Sequence, residues 1–171
     1  MVARYPDTKV YVAGNRCAYR NLTGLKRKLM DLAPDYDWYV QSLIERYGLR
    51  DNLVFLGYLS EEQMRSQLLQ SQVFVSASSI ENHSTLLGEA MITGVPSIAS
   101  CVGGLQDMID HGQDGFLYPF EETYTLAAHI LRLFEDRALA EQFSRKGHIH
   151  AARTYNREQN RLDLLAMYDK I

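Results

Sequence analysis

The feature that most constrains this chain is a regular alternation of short apolar runs with helically spaced segments. Residues 8–13 (TKVYVA), 53–56 (LVFL), 73–77 (VFVSA), 97–100 (SIAS) and 115–118 (GFLY) are short, mostly apolar, and bounded by glycine or small polar residues, as strands are. Between them the spacing turns helical. Leu22, Leu25, Leu29 and Leu32 share a face until Pro34, and Tyr36, Val40, Leu43, Ile44 and Tyr47 share another until Gly48. Ser60-Glu61-Glu62-Gln63 reads as a capping box opening a helix with Met64, Leu68 and Leu69. Residues 85–93 form a helix stopped by Gly94 and Pro96, and residues 105–111 a short one. After Tyr118 the chain is helical. Leu126, Ile130, Leu133 and Phe134 lie on one helix, and Leu139 and Phe143 on a second ending near Gly147. Leu162, Leu165 and Tyr168 lie on a third, behind a second capping box at Asn156-Arg157-Glu158-Gln159.

Strands separated by helices must cross over in right-handed βαβ units, which build a parallel sheet covered on both faces. The expected fold class is therefore α/β, a Rossmann-like doubly wound parallel sheet, and 171 residues suit one domain with its own core. Ligands of such sheets bind at the carboxyl ends of the strands. Attention therefore falls on Gly14-Asn15-Arg16, on Gly57-Tyr58-Leu59, on residues 78–84 and on residues 101–104.

Composition removes several function classes. A net charge of −3 with no block of like charges argues against nucleic acid as the main partner. Cys17 and Cys101 form no CxxC pair and no zinc spacing, so two reduced thiols in a cytoplasmic protein are expected. No run of about 18 apolar residues occurs. The first six residues lack the apolar stretch of a signal peptide. No dinucleotide GxGxxG, P-loop, GxSxG or HExxH motif appears, and no metal ligands are predicted.

The informative stretch is residues 78–100, SSIENHSTLLGEAMITGVPSIAS. It leaves a strand, turns, and enters a helix near Ser84. The amides of Ser84, Thr85 and Leu86 would point out of the helix N-terminus, which carries roughly half a positive charge and accepts phosphate. Glu81 in the turn and Glu89 on the helix flank that cradle. Carboxylates repel phosphate but accept hydrogen bonds from sugar hydroxyls. A diphosphate joined to two sugars, which is a nucleotide-sugar, fits the layout. The plainer alternative makes Ser84 only an N-cap and Glu89 only a solvated helix residue.

This stretch resembles the signature of the large family of retaining glycosyltransferases with the GT-B fold, those similar to glycogen synthase and bacterial mannosyltransferases. The family carries Glu-x7-Glu, then Glu-Ala-Met, a Gly-x-Pro turn and a small-residue strand. The matching positions are Glu81, Glu89-Ala90-Met91, Gly94-Val95-Pro96 and residues 97–100. Further similar pieces keep their order: Val54-Phe55-Leu56-Gly57-Tyr58-Leu59 before the capped helix, Val102-Gly103-Gly104 after the strand, and residues 110–119 (DHGQDGFLYP).

The resemblance implies one half of a GT-B fold: residues 1–171 as the C-terminal, nucleotide-sugar-binding domain of a hexosyltransferase. In such an enzyme the sugar passes from a nucleoside diphosphate to an acceptor hydroxyl with retention, without a cofactor. It implies that Glu89 holds the ribose and that Glu81 is the catalytic-site glutamate beside the donor sugar. It also implies that Asn82, His83, Ser84, Thr85 and Leu86 contact sugar and diphosphate, and that Gly57, Tyr58 and Leu59 lie near the nucleobase.

Two departures stand out. Many members have Gly-Phe-Gly where this chain has Asn82-His83-Ser84, which bears on the donor sugar. In the family the domain also opens with a strand followed by Gly-Arg and then Lys-Gly, and Arg4 does not match that arginine. The expectation is a chain lacking the first strand, the basic pair and the N-terminal acceptor domain, and inactive by itself. Any peripheral membrane association would then reside in the acceptor domain. In the strand order 3-2-1-4-5-6 the missing strand would sit between residues 8–13 and 73–77. Those two would pair directly, or a segment of another chain would fill the slot. Two other readings are a sugar-nucleotide 2-epimerase-like domain and a non-catalytic binding module of the same fold.

Overall fold

The computed structural model describes residues 2–14 and 36–169. The predicted helix at Leu22–Leu32 spacing, the Asn15-Arg16 loop and Cys17 lie outside the described residues. The chain falls into two compact units, Met1–Glu62 and Gln63–Ile171.

In the first unit, β1 (Val10–Ala13) runs parallel to β2 (Leu53–Gly57), with Val10 opposite Leu53 and Val12 opposite Phe55. The buried amide of Asn52 donates to the carbonyls of Pro6 at 2.7 Å and Thr8 at 2.8 Å, which anchors the segment leading into β1. Between the strands in sequence, α1 (Tyr36–Arg46) stops where expected. Gly48 adopts φ 62°, and the Leu49 amide reaches back to the Ile44 carbonyl at 2.9 Å. That left-handed residue closes the helix because only glycine takes the conformation without strain.

The second unit contains β3 (Phe74–Ser76), β4 (Ser97–Ser100) and β5 (Gly115–Tyr118), all parallel and in that spatial order. Central β4 is buried along its whole length, as a strand covered on both faces must be. Its successive side chains alternate between two cores. Ala99 packs with Leu87 and Met91 of α3 (Thr85–Ile92), with Leu105 and Ile109, and with Ala151. Ile98 packs with Phe116 and Tyr118 of β5, Leu133 of α4 (Thr123–Glu135) and Phe143 of α5 (Arg137–Thr154). Helices thus cover both faces of the sheet, and the fold is α/β and doubly wound. A third cluster joins Leu68 of α2 (Glu61–Leu69) to Ala90 and Val95. The last helix, α6 (Arg157–Tyr168), has no buried residue.

Three expectations are corrected. Residues 105–111 do not form a helix; a 3-10 turn, Gly103–Asp107, stands there instead. Its first residue takes φ 46°, which starts a tight turn rather than a longer helix. Gly147 does not end α5, which continues to Thr154. Gly147 is buried, and a Cβ on it would lie 3.2 Å from the Asp114 carbonyl oxygen, so it marks a close approach between elements. The second capping box is half formed. Asn156 accepts the Gln159 amide at 3.0 Å, but the Gln159 side chain turns forward to Asp163 at 2.8 Å. Among the described residues, the strands at 8–13 and 73–77 each ladder with a partner inside their own unit. Val10 and Val12 pair with Leu53 and Phe55, while Phe74 and Val75 pair with Ser97 and Ile98. The observed orders, β1 beside β2 and β3-β4-β5, each ladder β1 and β3 on one edge among the described residues.

Candidate functional site

The loop following β3 runs into the N-terminus of α3, and several unrelated segments hold it. The Ser100 hydroxyl at the end of β4 donates to the Ser78 carbonyl at 2.6 Å. The Gly104 amide donates to the Glu81 carbonyl at 3.2 Å. A Cβ on Gly103 would collide with the Glu81 peptide oxygen, and one on Gly104 with that of Asn82. The two glycines after β4 are therefore a requirement of this loop, since any side chain there would push it off the 3-10 turn.

Ser84 is the N-cap of α3, with φ −101° and ψ 103°, and its hydroxyl accepts the Leu87 amide at 3.2 Å. The amides of Ser84, Thr85 and Leu86 have no protein acceptor among the described residues, which leaves them facing outward as helix-start donors do. Leu87 is fully buried and sets the rotation of the helix. Glu89 consequently emerges on the exposed face, between buried Gly88 and buried Ala90. Glu81 is half-buried, and Asn82 and His83 are exposed. The residues from Glu81 to Glu89 lie on one unit, in the loop before α3 and on its first turns. Gly57, Tyr58 and Leu59 belong to the other unit. There Gly57 (φ 71°) ends β2, accepts the Gly14 amide at 2.9 Å, and is followed by an exposed Tyr58 and a half-buried Leu59.

Tyr155, just past the end of α5, was not legible as a site residue. Its hydroxyl lies 3.0 Å from His83 Nε2, and the two rings meet edge to face at 5.8 Å. The ring crosses α3 at Gly88, where a Cβ would come within 2.6 Å of the hydroxyl oxygen. Burial raises the Tyr155 pKa above its usual value. Beside this pair lies an open cavity of about 270 Å³. Met91, Met108 and Ala151 line it with apolar groups, and Asn82, His83 and Tyr155 bound it toward the loop. The pair is 72 residues apart in sequence, and no spacing signal could have joined it.

Asp114 was also missed. Buried in the loop before β5, it accepts the Asp110 amide at 2.8 Å and meets His150 Nδ1 of α5 at 2.6 Å. Ligand atoms of Asp110, Asp114 and His150 lie within 4.8 Å of one another. Both Asp114 oxygens are engaged by protein groups, so the residue ties its loop to α5. Among the described residues no helix is long and apolar enough to cross a membrane.

A family model described as Glycosyl transferases group 1 matches residues 2–150. The exopolysaccharide phosphotransferase SCO2592 of Streptomyces coelicolor is 34% identical over 113 residues, covering 64% of this chain and 12% of that protein. Among solved structures, a sucrose-phosphate synthase from Thermosynechococcus elongatus superposes with a TM-score of 0.77 at 26% identity, covering 99% of this chain and 40% of that one. Anabaena Alr3699/HepE in complex with UDP also gives 0.77, at 20% identity, covering 97% of this chain and 42% of that one. The chain therefore spans less than half the length of each of these proteins.

Proposed function

This chain belongs to the family described as Glycosyl transferases group 1, and from that premise we propose that it is the donor-binding part of an enzyme that moves a sugar from a nucleoside diphosphate to an acceptor hydroxyl with retention. The observation that carries the reading is the outward-facing set of amides at Ser84, Thr85 and Leu86, on a loop held in place by Gly103 and Gly104. Oriented amides at a helix start bind anions with no reorganisation on ligand entry. The diphosphate takes these donors, and the negative charge that develops on the leaving group is stabilised there.

Glu89 holds the ribose hydroxyls as a carboxylate acceptor, which its exposed position on α3 allows. Glu81 lies beside the donor sugar and faces the positive charge that grows on it during transfer. Asn82 and His83 contact the sugar, and Gly57, Tyr58 and Leu59 lie near the base. Residues 1–171 form the C-terminal donor domain, and the acceptor is bound by further polypeptide, in keeping with the share of each relative that the chain spans.

The structure of HepE with UDP makes UDP the first ligand to try. Calorimetric titration with UDP, ADP and GDP should show saturable binding of at least one. Glu89→Ala should weaken that ligand by about 1.5–3 kcal/mol, the range for hydrogen bonds to a charged group. The variant should no longer distinguish ribose from dideoxyribose in the nucleotide. Persisting discrimination would remove Glu89 from the ribose, and absence of any nucleotide binding would overturn the reading itself.

A further inference from the structure

The 81–84 loop departs from the Gly-Phe-Gly common in the family, and Asn82-His83-Ser84 has no glycine in it. Two contacts from elsewhere in the chain hold the loop. Gly103 and Gly104 supply one support by letting the 3-10 turn press against the Glu81 and Asn82 backbone. The other support reaches across from the end of α5. Tyr155 closes that helix, its amide bonding the Ala151 carbonyl at 2.9 Å, and its position is thus set by an 18-residue helix rather than by a mobile tip. From there its hydroxyl meets His83 Nε2 at 3.0 Å. The approach depends on Gly88, because a side chain at that position of α3 would occupy the space of the Tyr155 ring. His83 and Gly88, together with Tyr155 far along the chain, thus form one device.

We propose that Tyr155 is a positioning residue for the donor site: through His83 it fixes the 81–84 loop against α3 and so aims the amides of Ser84, Thr85 and Leu86. It does not touch the reacting atoms. His83 lines the open cavity beside the pair, so release of the hydroxyl lets the imidazole swing into that space and the loop relax. This inference rests on the donor-site reading above, and two ligands separate their failures.

The test uses the full chain, with UDP as a probe that needs the loop amides and uridine as a probe that lacks phosphate. Tyr155→Phe keeps the ring over Gly88 and removes only the hydroxyl. UDP affinity should fall by about 2- to 10-fold, as for one lost hydrogen bond. Uridine affinity, followed by ligand-observed NMR, should stay unchanged, and the thermal midpoint should move little. His83→Ala should give the same UDP loss, and the double variant no more than either single one, because both break a single link. A UDP affinity in Tyr155→Phe equal to that of the parent would overturn the inference alone. Equal losses for UDP and uridine would make Tyr155 merely structural and overturn it too. If the parent bound no UDP, the donor-site reading and this inference would fall together.

Discussion

At the residue scale, the site rests on positions where a side chain is forbidden. The sequence marks Gly103 and Gly104 only as a pair following a strand, yet each lies against a peptide oxygen of the 81–84 loop. Gly104→Ala should cost about 1–3 kcal/mol, as overpacking typically does. Because the displaced atoms belong to Glu81 and Asn82, nucleotide affinity should fall with stability. Thermal unfolding and UDP titration of the same sample check both, and an Ala variant with unaltered values would show that the loop has room to yield. The glutamates were legible because their spacing and following Ala90-Met91 are carried by the chain itself. Tyr155 was not, because its meaning comes from an approach to Gly88 and His83 across α3, and no local pattern encodes such an approach.

At the element scale, a histidine meets the edge of β5. β5 has β4 on one side, and on the other the Leu117 amide donates to His111 Nδ1 at 3.0 Å. His129 of α4 stacks on Phe116 at 4.1 Å. Burial is the main reason its pKa lies below the ordinary 6.5, with the nearby His111 and Arg132 adding charge repulsion. The folded state then binds fewer protons here than the unfolded state. Stability should be fully present above pH ~6.5 and decline as pH falls through the window below it. Urea unfolding at a series of pH values should show this decline, and His129→Gln should flatten it. An equally steep profile in that variant would assign the effect to other groups. The strands at the centre of this unit were legible from apolar runs, but the 3-10 turn was not, because its geometry follows from Gly103 meeting Glu81. Nor was the passage of α5 through Gly147, where a small residue signals contact with Asp114 rather than a helix end.

At the scale of the whole molecule, protection should be uneven. All four residues of β4 are buried, whereas all four of β1 are exposed. Amide exchange should therefore be slowest at Ile98 and Ala99 and much faster at Val10–Ala13, since local opening follows the density of buried contacts. Comparable protection in the two strands would show that β1 is covered by something beyond its ladder with β2. The sequence by itself determined the α/β class, the parallel pairing of its strands and the helix start at Ser84. Those depend on periodicity, caps and a helix start, which are properties of neighbouring residues. Only the tertiary structure decided which glycines are obligatory, why Asp114 is buried, and that Tyr155 stands behind His83. Such facts arise when segments far apart in the chain are packed to within a few ångströms, and excluded volume then selects residues that no local rule would single out.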